Sequence, residues 1–272
     1  MSLSGLSILL LLFSLTTAAH AEVLSVGITP LKPASKLAAE WTPLLDEVGR
    51  RAGVTLRFRT APSIPAFGER LAQGEYDIAY MNPYHYQLYS AQPGYRAFVR
   101  ERDRPLEGVL IVRKDGRIRN LQDLDGSTLS FPTPLAFAAS ILTQAELQKQ
   151  GIRIKARYVQ SHDSVLKGVA AGSFDAGGTI TKVLRTADPQ LAGNLRVLHK
   201  TALYQPHPFA VHPRISPELG EKLRQAFISL ERDETGRKLL ADVAFSGMET
   251  ANDRDYEDVR KLNLEKLIEA VQ

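Results

Sequence analysis

The stretch GEYDIAYMNPYHY, residues 74–86, decides the reading of this chain. A helical segment stops at Gly74 and a buried strand follows. The strand ends in a polar and aromatic cluster, Asn82, Pro83, Tyr84, His85 and Tyr86, poised at a second helix start. Open α/β sheets build their ligand crevices at such strand ends. Two later stretches repeat the arrangement: STLSFPTPLAFAAS, residues 127–140, and ARYVQSHDSVLKGVAAGSFDAGG, residues 156–178. Together they predict a pocket between lobes.

Working outward, EVLSVGITP alternates as a half-buried strand from Val23 to Ile28 and stops at Thr29-Pro30. Leu37, Trp41, Leu44, Leu45 and Val48 recur at helical spacing, predicting a helix from Ser35 to a stop at Gly53, kinked or started late by Pro43. VTLRFRT alternates as a strand, and SIPAFGERLAQG is a short helix with Ser63 as its N-cap. EGVLIVRKD reads as a long strand, after which the pattern restarts, so a lobe boundary is expected near Asp115 to Asn120. The second lobe then holds a strand over Thr128–Phe131, a helix from about Pro134 to Gln150, a strand over Lys155–Gln160, a helix over Asp163–Ala171, a strand over Phe174–Ala176 and the strand LRVLHKT. QPHPFAVHP, residues 205–213, returns the chain to the first lobe, where the helical C-terminus packs.

The alternation predicts an α/β protein of two lobes, each a mainly parallel sheet covered by helices, with a ligand cleft between them. Lobe 1 takes residues 22–115 plus 209–272, and lobe 2 takes residues 116–208. Two crossings make a hinged clamp of the kind that closes on a small ligand.

With 272 residues, 44% hydrophobic and 24% charged, the chain is long and apolar enough to bury a substantial core. Residues 1–21 carry an apolar run from about Leu6 to Leu15 and end in Ala19-His20-Ala21, the pattern of a secretory cleavage site. The expected product is a periplasmic protein with a cleaved signal peptide and Glu22 at its mature N-terminus. The chain has no cysteine, which excludes a disulfide scaffold, a thiol nucleophile and a lipid-modified N-terminal Cys. A net charge of +4 is spread along the sequence and forms no basic run of the kind nucleic-acid binders show.

Candidate ligand-binding residues come from the strand ends. Asn82, Tyr84 and Tyr86 offer amide and phenol groups to a ligand carrying oxygens; alternatively Pro83 begins a helix and the aromatics pack in the core. His162 stands at a helix start in SHDSV, either donating to an oxyanion or serving the cap. Thr133 and Ser140 carry hydroxyls for ligand or for turn and cap. Gly177, Gly178, Thr179 and Thr181 follow the DAGG turn, where glycines admit a close approach and Thr179 can face the crevice. His207 and His212 are five residues apart on a strand, which sets them on opposite faces and argues against a shared metal. No catalytic motif is present: no Gly-x-Ser-x-Gly elbow, no His-Glu-x-x-His pair and no phosphate-binding Gly-Lys loop. Neither an enzyme, a metal nor a cofactor is expected.

Through YDIAYMNPYHY, EGVLIVRKDGRIRNLQDLDGSTLSFPTP, SHDSVLKGVAAGSFDAGG and residues 201–213, the chain resembles the periplasmic phosphate, phosphite and phosphonate binding proteins of ABC transporters, the phosphonate branch of the type II periplasmic binding proteins. The resemblance implies a monomer that binds a small oxyanion or polar metabolite and works with an inner-membrane permease and ATPase. The alternative partner is a sensor kinase or other receptor. It also implies that Ala136, Phe137, Ala138 and Ala139 stand where the family carries a Ser-Thr-Ser-Gly run whose hydroxyls hold the phosphonate oxygens. The family's first-lobe tyrosine is replaced near Ile64-Pro65. The ligand is accordingly expected to lie chiefly on the Tyr86 and His162 side, or to carry an apolar part beside Phe137.

Overall fold

A computed structural model describes residues 22–262; the expected signal peptide, residues 1–21, lies outside the described residues. The first part of the chain runs β1 (Val23–Ile28), α1 (Ala34–Ala52), β2 (Thr55–Arg59), α2 (Ile64–Ala72), β3 (Ile78–Tyr80), α3 (Pro83–Ala91) and β4 (Arg96–Glu101). A second part follows: β5 (Leu106–Arg113), β6 (Thr128–Phe131), a π-helical turn Phe137–Leu142 continuing into α4 (Thr143–Lys149), β7 (Lys155–Tyr158), α5 (His162–Ala170), β8 (Ala176–Ile180), α6 (Thr181–Arg185), α7 (Pro189–Gly193) and β9 (Leu195–Tyr204). The chain then returns through β10 (Pro208–Val211), α8 (Pro217–Ser229), α9 (Glu234–Asp242), β11 (Met248–Thr250) and α10 (Glu257–Arg260). Among the described residues, no helix is long and apolar enough to cross a membrane.

The strands form two sheets, ordered β11-β4-β10-β3-β1-β2 and β7-β6-β8-β5-β9. Both share one plan. Three parallel strands stand in the order second, first, third (β2-β1-β3 and β7-β6-β8), and an antiparallel strand then joins the third one, β10 in the first sheet and β5 in the second. The two-lobe α/β architecture is as expected, but the sheets are mixed rather than mainly parallel. The cause is that each crossing delivers its strand in the reversed direction.

Pairing also moves the lobe boundary. The sequence places EGVLIVRKD in lobe 1 and the boundary near Asp115; β5 instead pairs with β8 and β9, so the second sheet begins at Leu106. Arg102–Pro105 and Gln205–His207 are the two crossings. α1 runs unbroken through Pro43, and Gly53 ends it at φ 74, where the left-handed backbone suits a residue without a Cβ. The strand expected over Phe174–Ala176 lies later, at Ala176–Ile180.

The first lobe's core centres on Trp41, whose ring lies 5.1 Å from Tyr80, 5.9 Å from Phe209 and 5.5 Å from Phe245. It joins α1, β3, β10 and the segment after α9, so the returning chain is anchored in the middle of the first sheet. In the second lobe, Gly108 and Gly178 let the π-helical turn settle on the sheet. A Cβ at Gly108 would stand 2.1 Å from the Ala138 carbonyl oxygen, and one at Gly178 would stand 2.1 Å from that of Ala139. Gly177 and Gly178 therefore lie inside β8, Gly178 against the helix backbone and Gly177 against the Val165 and Val169 side chains, where the sequence suggested a turn admitting a ligand.

Candidate functional site

The parallel strands of both lobes aim their carboxyl ends at the gap between the lobes, and each strand end hands over to a helix. β2 leads to α2, β3 to α3, β6 to the π-helical turn and β7 to α5. Residues from these four helix starts, Ile64, Asn82, Ala136–Ala139 and His162, line one cavity together with Thr29, Leu31, Leu106, Ile180 and His207. The first N–H groups of a helix have no carbonyl of their own helix to bond and carry its partial positive charge. Four such ends converging on one cavity make a site for an anion.

Local sequence explains each helix start. Ser63 Oγ accepts from the Ala66 N–H at 3.3 Å, and Pro65 lies in the first turn of α2. Asn82 Oδ1 accepts from the His85 N–H at 2.8 Å with Pro83 opening α3, so the cap uses the amide oxygen and leaves the amide N–H groups for the cavity. Ser161 Oγ caps α5 at Ser164 N, 3.0 Å, which frees His162 from that role. The start at Phe137 has no side-chain cap at all. Ala136, Phe137, Ala138 and Ala139 are all buried there, and the Ala136 N–H donates to the Thr133 carbonyl at 3.3 Å.

His162 is buried, with Nδ1 2.9 Å from Thr179 Oγ1. Burial lowers its pKa to about 4, so the ring is neutral at ordinary pH. With the Thr179 hydroxyl donating to Nδ1, the proton sits on Nε2 and is available to an acceptor. Thr179 thus acts through His162. His207, at the second crossing, is also buried, stacks on Tyr80 at 5.2 Å and is lowered to about 3 by burial and by nearby Lys182.

Asn82, Ala136, Phe137, Ala138 and His162 line this cavity, as the sequence suggests. Others lie elsewhere. Tyr86 is packed on Tyr256, accepts from the Ala97 N–H at 3.1 Å and donates to Asp253 at 3.0 Å, all within the first lobe. Its ring is core because it sits one turn into α3, on the face turned to the sheet. Tyr84 is buried in the apolar cluster with Ile64, Leu106 and Phe137 and does not line the cavity. Thr133 is buried ahead of the π-helical turn and Ser140 within it, and neither lines the cavity. Phe137 packs edge-on against Tyr204 at 5.3 Å and forms part of the wall.

Sequence reasoning missed Thr29, Leu31, Leu106, Ile180 and His207 as cavity residues. Thr29 and Leu31 follow β1, and a strand ending at Thr29-Pro30 was signal enough to place them at the same sheet edge. His207 had no such marker, because only the crossing geometry brings it here.

The cavity has a volume of about 20 Å³ and adjoins a larger one of about 240 Å³ on the hinge side. A third, of about 390 Å³, opens between Lys32 and Lys36 of the first lobe and Lys167 of the second. Lys32 is paired with Glu40 and Lys167 with Asp163, and Asp188 lines the same space, so the charges at this mouth are largely balanced.

The profile of the phosphonate ABC transporter periplasmic substrate-binding proteins matches residues 26–256. A phosphate-import protein of Mycolicibacterium smegmatis is 21% identical, the match covering 91% of this chain and 87% of the relative. A binding protein component of an ABC phosphonate transporter from Pseudomonas aeruginosa superposes with a TM-score of 0.81 at 20% identity, covering 92% of this chain and 88% of that one. A Prochlorococcus marinus protein in complex with methylphosphonate gives a TM-score of 0.81 at 17% identity, covering 90% and 98%. The two superpositions share the fold of this chain. On the extent of the profile match, the chain belongs to the family of periplasmic substrate-binding proteins of phosphonate ABC transporters.

Proposed function

We propose that this protein captures a small oxyanion, a phosphonate or phosphate group, at the four converging helix starts and presents it to an inner-membrane permease and its ATPase. The observation that carries this reading is the cavity itself. Ile64, Asn82, Ala136–Ala139 and the neutral His162 ring, all at helix starts, line it, and no acidic side chain does. The Ala136 N–H is held by the Thr133 carbonyl at 3.3 Å, which leaves Phe137, Ala138 and Ala139 to supply the backbone donors of that turn. Family membership favours transport over the sensory alternative, and binding components of this kind are not enzymes.

At about 20 Å³, the cavity has room for about one water-sized group. A tetrahedral oxyanion needs more, so entry requires the lobes to part or Ile64 and Phe137 to move. Ligand should therefore shift an open–closed equilibrium about Arg102–Pro105 and Gln205–His207. The mature protein is proposed to begin at Glu22, be periplasmic and act as a monomer, binding no nucleic acid, metal or cofactor. Intact mass of the exported protein checks the first point.

Calorimetry of phosphate, phosphite and methylphosphonate, paired with small-angle scattering, tests the function. The expected result is measurable binding of at least one oxyanion with a smaller radius of gyration when it is bound. Heat without compaction at saturation counts against the clamp, and no binding of any oxyanion counts against the site.

A further inference from the structure

The hinge-side cavity of about 240 Å³ shares Leu31, Leu106, Ile180 and His207 with the oxyanion cavity, so the two adjoin across these side chains. Its far end holds an ion pair that bridges the lobes: Lys182 Nζ of α6 donates to Glu101 Oε2 of β4 at 3.0 Å. Lys182 also lies 3.9 Å above the Phe245 ring. Glu101 is only 2% exposed, and its other oxygen, Oε1, has no hydrogen-bond partner among the described residues. A buried carboxylate oxygen without a partner is costly, which makes it a strong acceptor for whatever donor can reach it.

The character of that donor follows from the surroundings. Between the helix starts and Glu101 the wall is mainly apolar, formed by Leu31, Leu106 and Ile180 with the stacked rings of Tyr80 and His207. Beyond it, the Glu101 charge is already balanced by Lys182, and Arg104 and Arg185 line the space with Asp103. The acidic Glu107 is occupied by Thr181 and Lys200. An ammonium group placed at Oε1 would stand close to Lys182 and be repelled; a neutral hydroxyl would not.

Resting on the oxyanion reading above, we propose that the ligand carries a short chain with a terminal hydroxyl, which runs from the helix starts into the hinge-side cavity and donates to Glu101 Oε1. The ligand class is a hydroxyalkyl phosphonate or the corresponding phosphate monoester, rather than inorganic phosphate. Because Glu101 and Lys182 belong to different lobes, the same hydroxyl contact would form only when the clamp is closed.

Calorimetry of the mature protein with 3-hydroxypropylphosphonate, propylphosphonate, 3-aminopropylphosphonate and inorganic phosphate tests this. A hydrogen bond to a charged acceptor predicts that the hydroxyl compound binds roughly tenfold to a hundredfold tighter than propylphosphonate. In Glu101→Gln, the amide oxygen stays with Lys182 and the NH₂ donates to the ligand hydroxyl as a neutral hydrogen bond in place of the charged one, so the preference should fall to about tenfold or less. A merely structural role for Glu101 would weaken all four compounds together. Leu203→Trp, on a side chain 58% exposed and lining the cavity, should lower affinity for the hydroxyl compound more than for phosphate without threatening the fold. Equal binding of hydroxyl and propyl compounds, tighter binding of the amino compound, or a preference unchanged in Glu101→Gln overturns the assignment. No binding of any of the four sinks the oxyanion reading as well.

Discussion

The two ends of the crevice are built from different materials. At the helix-start end the donors are mainly backbone N–H groups, the wall is Ala136–Ala139, Ile64 and Leu31, and the volume is about 20 Å³. At the hinge end the chemistry belongs to side chains, Glu101, Lys182, Arg104 and Arg185, and the volume is about 240 Å³. Where the architecture itself supplies the donors, side chains can be exchanged for alanine and the anion site survives. Where side chains supply the recognition, each one is a specificity choice. On the proposed reading, general anion affinity and particular ligand identity are separated in space.

The comparison is broken most severely by filling the contact that seats the π-helical turn. Gly178→Val places its Cβ at the position 2.1 Å from the Ala139 carbonyl, so the turn must move off the sheet. A loss of about 4 kcal/mol or more is expected, with oxyanion binding abolished, by denaturant unfolding and calorimetry. Phe137→Ala removes a buried ring packed on Tyr204 and should cost roughly 3 to 5 kcal/mol of stability. It also enlarges the oxyanion cavity, so methylphosphonate should bind the variant more tightly than the parent. A drop in both would show that Phe137 supports the site rather than crowding it.

Smaller effects sharpen the contrast. His162→Phe keeps the ring volume and removes its N–H donor, and should weaken every oxyanion by roughly 1.5 to 3 kcal/mol without changing the hydroxyl preference. The pH dependence of stability comes next. His85, His162 and His207 have folded pKa values lowered by burial from 6.5 to about 4, 4 and 3. The unfolded chain takes up protons as pH falls below 6.5 while the folded one does not, so stability falls between about pH 6.5 and 4, by up to about 1.4 kcal/mol per pH unit for each histidine. Thermal unfolding across that window checks it, and His85→Gln should flatten the slope.

The helix-start end was legible in the sequence because strand-to-helix transitions leave local marks. Ser63 with Pro65, Asn82 with Pro83, and Ser161 before His162 are cap and first-turn patterns readable within a few residues. Tyr86 was misplaced for the complementary reason. The same local pattern does not say which face of α3 turns to the core, and its hydroxyl ends on Asp253, 167 residues away. The hinge end left no local mark. Glu101 closes β4, Lys182 lies in the first turn of α6, and only the two crossings bring them within 3.0 Å. The lobe boundary failed similarly, because β5 reads as a strand in either lobe and its partners β8 and β9 lie far along the chain.

The central claim, that backbone at the helix starts holds the oxyanion while the hinge end reads the rest of the ligand, is tested most directly by a crystal structure with 3-hydroxypropylphosphonate bound. The account predicts phosphonate oxygens on the backbone N–H groups of Phe137–Ala139 and on the His162 ring, with the chain directed toward Glu101. A phosphorus atom seated against Lys182 and Arg104, with the helix starts untouched, would contradict it.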